Sequence, residues 1–136
     1  MMNKSIQLMH KLYKRGIPLL PRVIQIINRI VFACDIPRTV SIGKNTIFSH
    51  SGLGVVIHSN AIIGNNCKIY QNVTIGGRGD RGTPKIGNNV FIGAGSTVLG
   101  GVKIGDNAKI GAMTLVLDDV AENQTVVGVP AKVVKK

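Results

Sequence analysis

The chain has 136 residues, 44% of them apolar, with 17 Lys and Arg against six Asp and Glu, a formal charge of +11. That length and apolar content suit one folded domain with an appendage and exclude general disorder. The positive excess attracts polyanions, but with no Trp, two Tyr and three Phe there is little to stack bases on, and no basic helix has base-reading spacing. No nucleic-acid partner is expected.

The N-terminal residues carry Lys4, Lys11, Lys14 and Arg15 among apolar side chains, without an uninterrupted apolar core or a small-residue cleavage site, so they do not read as a secretory signal. From Lys4 to Phe32 apolar residues recur at helical spacing: Ile6, Met9 and Tyr13, then Val23, Ile27 and Ile30 with Ile24 and Val31 beside them. Gly16, Pro18 and Pro21 punctuate the run, which predicts a helix over about 3–15, a bend, and a second helix starting near Pro21. Arg22 and Arg29 interrupt the best candidate for the roughly 20 apolar residues of a membrane span. Six basic residues and no acidic one precede Asp35. Residues 1–34 therefore read as a basic amphipathic segment, either capping the main fold or a neighbouring subunit, or lying on an anionic membrane surface. His10 belongs to this segment as a structural residue.

After Asp35 the period becomes six. Large aliphatic or aromatic residues lead thirteen hexads, at Ile36, Ile42, Phe48, Ile57, Ile63, Ile69, Ile75, Ile86, Ile92, Val98, Ile104, Ile110 and Val116, and the fifth position is small or β-branched in most of them. Gly or Asn follows at turns, where it accepts backbone angles other residues resist. This pattern predicts an all-β solenoid of short parallel strands over residues 35–136, with three hexads to a coil and about four coils. Cys67 falls on a small inward position and reads as a packed thiol. Cys34 lies far from it, so neither a zinc site nor a disulfide framework is expected, and a reducing cytoplasm fits. Two interruptions mark candidate functional loops: Gly54-Val55-Val56, and the eleven-residue gap from Ile75 to Ile86 that holds GRGDRGTPK.

Taken in order, CDIP (34–37), SHSGLGVVI (49–57), QNVTIGG (71–77), GDRGTPKIG (79–87), VFIGAGSTVLGGVKIG (90–105), AKIGAMTLV (108–116) and VVGVPAKVV (126–134) resemble the hexapeptide-repeat O-acetyltransferases. The resemblance is to the serine acetyltransferase-like branch, which includes small acetyltransferases of polysaccharide synthesis. It implies a left-handed parallel β-helix assembled as a homotrimer, with active sites between subunits and acetyl-CoA lying along the groove between two solenoids. It also implies that His50 is the general base and that Asp35 holds it.

The residues suit that chemistry. Transfer from a thioester to an alcohol needs a group that removes the hydroxyl proton, and imidazole titrates near neutrality. Asp35 lies fifteen residues before His50, three short of a coil, which puts the two near one corner on adjacent coils. The resemblance further points to Gly77 and Arg78 at the pantetheine arm, to Ala94 and Ala112 with free backbone groups along it, and to Lys132, with Lys135 and Lys136, at the CoA phosphates. A backbone N–H at Gly76 or Gly77 is a candidate donor to the oxyanion. Ser49 and Ser51 read as turn residues rather than nucleophiles, His58 as a surface or inter-subunit residue, and no metal is expected.

Departures from the family concern the acceptor. Serine acetyltransferases carry a long helical N-terminal domain, where this sequence has about 33 residues. They have an aspartate where Ser49 stands, and a histidine after the aspartate-arginine pair, where Gly82 and Thr83 follow Asp80 and Arg81 here. A glycan or nucleotide-sugar hydroxyl is therefore the expected acceptor, contacted by Asp80 and Arg81. Serine is the alternative, and a non-catalytic solenoid used for assembly is the second.

Overall fold

A computed structural model describes residues 1–134 of the chain. Two helices, α1 (Met2–Lys14) and α2 (Leu20–Val31), precede a three-faced solenoid of two- and three-residue strands. The chain visits the faces in turn. One face stacks Ser41–Ile42, Ile62–Ile63, Lys85–Ile86 and Lys103–Ile104, all parallel. The next begins at Ile47–Phe48 and rises through Lys68–Ile69, Phe91–Ile92 and Lys109–Ile110 to Thr125–Val127. The third runs from Val56–Ile57 through Thr74–Gly76 and Thr97–Leu99 to Leu115–Val116.

The hexad rule accounts for the core. Every leading residue except half-buried Ile42 is buried, and the small fifth positions from Val40 to Val120 are buried with them. Thr46, Ser96 and Thr114 are tolerated inside because each hydroxyl donates to a carbonyl: Thr46 to Gly64 at 2.7 Å, Ser96 and Thr114 to Gly111 at 2.7 Å. One corner is built from asparagines. Asn45, Asn66, Asn89 and Asn107 have φ between 55° and 61°, a left-handed conformation that Asn tolerates better than most residues. Beside them, Asn65 Oδ1 accepts the Lys44 N–H at 2.7 Å, Asn88 Oδ1 the Asn65 N–H at 2.9 Å, and Asp106 Oδ1 the Asn88 N–H at 2.7 Å. Coil is thus stitched to coil where no strand ladder runs.

Three details differ from the expectation. The strand Val56–Ile57 includes part of the interruption placed at 54–56; the chain leaves the six-residue period earlier, in the turn after Phe48. The solenoid also continues past Val120 into Thr125–Val127, and Lys132–Val133 then reverses to pair antiparallel with it. Finally, the two helices behave differently. α1 packs Met2 and Ile6 into the solenoid core and buries Met9 as well, while α2 buries Pro21 and Asn28 and turns most of its aliphatic residues outward.

α1 docks by imitating a strand. The Asn3 side chain donates from Nδ2 to the Phe48 carbonyl at 3.3 Å and accepts the Phe48 N–H on Oδ1 at 2.9 Å. Those are the two bonds that a coil beneath Phe48 would make. Both would otherwise be orphaned at the solenoid's end.

Candidate active site

His50 stands at the corner that leads from Ile47–Phe48 to Val56–Ile57 in the lowest coil. Ser49–Gly52 form a 3-10 turn in which His50 has φ 53° and ψ 40°, and Ser51 φ 54° and ψ 28°. Such left-handed angles cost an L residue about 1–2 kcal/mol and persist only where the surroundings enforce them. Here the Leu53 N–H donates to the His50 carbonyl at 3.2 Å, the Gly54 N–H to the Ala33 carbonyl at 2.8 Å, and the Asn72 N–H to the Leu53 carbonyl at 2.8 Å. The result is an exposed imidazole on a pinned backbone.

Tyr70 is the neighbour that sequence reasoning missed. Half-buried, it lies with its ring centroid 6.1 Å from that of His50 and 5.3 Å from that of Phe91, and Lys68 Nζ is 5.3 Å from its ring centre. Beside it in sequence, Gln71 has a buried Oε1 with no protein partner among the described residues. An acceptor in that position suits a ligand hydroxyl or N–H. The available signal was its place in the hexad: Tyr70 follows a leading Ile, in an outward slot one coil after His50.

Asp35 begins the third face, bridged to Val56, with its N–H donating to the Val55 carbonyl at 2.8 Å and its carbonyl accepting the Ile57 N–H at 3.0 Å. It therefore lies beneath the strand that follows the His50 turn. Among the described residues no hydrogen bond joins its carboxylate to His50; the two are linked through the backbone of residues 50–57.

Ala94 and Ala112 stack on successive coils along the same corner as His50. A Cβ at Gly93 would lie 2.6 Å from the Ala112 nitrogen, and the Met113 N–H donates to the Ala94 carbonyl at 2.8 Å. Lys132 is exposed on the antiparallel strand above them, while Lys135 and Lys136 lie outside the described residues. The second loop sits at the next corner. Its turn Gly79–Arg81 folds onto Gly100 and Gly101, with the Gly101 N–H donating to the Arg81 carbonyl at 2.6 Å. Arg78 and Arg81 line one hollow of about 170 Å³ there, so the two arginines assigned to cofactor and acceptor share a single site; Asp80 is exposed beside them.

His58 adjoins that loop. The Asn60 N–H donates to His58 Nδ1 at 3.1 Å, and Asn60's carbonyl accepts the Thr83 hydroxyl at 3.2 Å. With Nδ1 occupied as an acceptor, the neutral ring carries its proton on Nε2, the atom nearest Gly77 along with Cδ2. His58 thereby offers a donor next to Gly77. The thiols of Cys34 and Cys67 are both pushed up, chiefly by burial, which makes them packing groups rather than nucleophiles. Among the described residues no three His, Cys, Asp or Glu side chains gather as a metal site.

Comparison with known proteins identifies the repeat and the fold. The family described as bacterial transferase hexapeptide (six repeats) matches residues 83–118, and the hexapeptide repeat of succinyl-transferase matches residues 39–76. The chain belongs to the hexapeptide-repeat transferases. It is 40% identical over 128 residues to a serine acetyltransferase of Synechococcus elongatus, and 42% identical over 130 residues to one of Staphylococcus xylosus. These matches take in 92% and 93% of this chain, which spans only 52% and 60% of the length of those relatives. Among solved structures, soybean serine acetyltransferase superposes with TM-score 0.89 at 41% identity, covering 98% of this chain and 56% of that one. A serine acetyltransferase in complex with CoA superposes with TM-score 0.87 at 37% identity, covering 98% and 55%. Within its family the chain is thus on the serine acetyltransferase-like branch, and its solenoid is the left-handed β-helix of that branch. These relatives are all named for serine rather than for a glycan, so they favour the alternative acceptor over the expected one.

Proposed function

We propose that the protein is an acetyl-CoA-dependent O-acetyltransferase in which His50 is the general base. The observation that carries this reading is the pinned left-handed turn that holds the His50 imidazole out from a solenoid corner, in line with Ala94 and Ala112. His50 takes the proton of an acceptor hydroxyl as its oxygen attacks the thioester carbonyl. The tetrahedral oxyanion is met by a donor, Gly77 N–H or His58 Nε2–H. Collapse breaks the carbon–sulfur bond, and the CoA thiolate takes the proton back from the imidazolium. Asp35 acts as a positioning acid for His50. Gly77, Arg78, Ala94, Ala112 and Lys132 hold acetyl-CoA, while Asp80 and Arg81 meet the acceptor. A homotrimer with sites between subunits, a cytoplasmic setting and contact of residues 1–33 with a membrane face belong to the same proposal.

Serine is the acceptor that the relatives' names support. A saccharide hydroxyl is the second reading, favoured by Tyr70: a half-buried aromatic face beside the base suits the C–H face of a sugar ring. Purified protein incubated with acetyl-CoA and a panel of serine and sugar acceptors should release free CoA with one class. Failure with every acceptor, together with no acetyl-CoA binding, would leave a non-catalytic assembly module.

A further inference from the structure

α2 is inside out for a helix of a water-soluble fold. A surface helix ordinarily turns its apolar stripe to the core and its polar residues to water. Here the packed side carries polar contacts beside Pro21 and half-buried Ile24: Asn28 accepts the Ser5 hydroxyl at 2.6 Å, and Gln25 Oε1 accepts from the Arg38 backbone N–H and Nη1, each at 3.2 Å. The opposite side presents Val23, Ile26, Ile27, Ile30 and Val31, with Ile26 54%, Val31 64% and Ile30 76% exposed. At 100° per residue these fall within one arc of the helix, and Arg22 and Arg29 border it next to Ile26. A contiguous aliphatic face of this kind marks a contact surface.

Charge selects the occupant. Residues 1–34 contain six basic and no acidic side chains, and Lys11, Lys14, Arg15 and Lys44 surround an acid-free hollow of about 610 Å³ at the same end of the solenoid. Two copies of this face set against each other would bring Arg22 and Arg29 together with no carboxylate from the same segment to pair them. An anionic bilayer accepts both features at once, taking the aliphatic arc at the acyl boundary and the cations at the phosphates.

We propose that α2 lies along the surface of an anionic lipid bilayer with this arc inserted, while α1 stays on the solenoid as its cap. This rests on the proposed membrane contact of residues 1–33 and narrows it to one face of one helix. It also puts the lowest coil, with His50, at the membrane end of the molecule.

The test is sedimentation of the full chain with phosphatidylcholine vesicles, with and without phosphatidylglycerol, for the parent and for Ile26→Glu/Ile30→Glu, whose fold is checked by circular dichroism. The parent should bind the anionic vesicles only, and the variant at least about tenfold more weakly. Undiminished binding of the variant would overturn the assignment to α2 while leaving membrane contact standing. No binding by the parent would overturn both. A parent that fails to bind lipid, with a variant of smaller oligomer size, would make a second copy of the chain the occupant instead.

Discussion

Replacing His50 with asparagine separates the base from the turn that carries it. The position has φ 53°, and asparagine is among the few residues that enter this region readily. His50→Asn should therefore keep the Ser49–Gly52 turn, with unfolding shifted by less than about 1 kcal/mol, whereas His50→Ala should lose about 1 kcal/mol more. Removing a general base costs about 10²- to 10⁴-fold in rate, or about 2.7–5.4 kcal/mol at about 1.36 kcal/mol per decade. Because the proton moves only in the transition state, the loss belongs in kcat, with the acetyl-CoA dissociation constant unchanged. The assay is thiol release from acetyl-CoA with the best acceptor, alongside calorimetric titration of acetyl-CoA. A His50→Asn protein with kcat within about tenfold of the parent would refute the base assignment. One that lost cofactor affinity in step with rate would make His50 a binding residue.

Other outcomes follow from the same geometry. Gly93→Ala would drive a Cβ to 2.6 Å from the Ala112 nitrogen; it should destabilise the fold by about 1–3 kcal/mol, seen as a lower thermal midpoint, and weaken acetyl-CoA binding through the displaced Ala112. If Tyr70 forms the acceptor platform, Tyr70→Leu should raise KM for sugar acceptors and leave that for serine unchanged, and equal effects on both would remove the platform. His10 is held below its ordinary value of 6.5, first by burial, then by the Lys14 charge, against the hydrogen bond to the Pro37 carbonyl. The folded state thus binds fewer protons than the unfolded one, so the stability this group contributes is present above about pH 6.5 and fades as pH falls below it. Thermal midpoints across that window should drop with acid and flatten in His10→Gln.

Much of this was legible because each hexad is a local rule. A large residue at the lead and a small one at the fifth position specify inward slots without reference to anything distant, and burial followed that list from Ile36 to Val120 with Ile42 alone half-buried. The interruptions were legible as well, since a break in a strict period is visible. Where the extra residues would go was not, because Val55 and Val56 look like strand residues in either register and the left-handed run His50, Ser51 and Gly52 absorbs the excess. The pairing of Tyr70 with His50 needed the coil stagger, which the 49–55 turn alters. The facing of α2 was hidden for another reason. Helical periodicity reports that one side is apolar, and Val23, Ile27 and Ile30 satisfy it equally whether that side meets protein, lipid or water.

In a solenoid each coil is steadied by the coils above and below, so an end coil has one neighbour fewer than the rest. His50 belongs to the end coil, and the side chain of Asn3 supplies the missing backbone partner of Phe48, two residues before it. Ala94 lies in the interior of the stack, and Ala112 lies in the last complete coil with Thr125–Val127 above its preceding strand; both lie toward the other end from α1 and borrow nothing from it. On warming, the molecule should therefore melt from the His50 end, passing through a form that still grips acetyl-CoA but has lost its base, so that turnover fails at a lower temperature than cofactor binding.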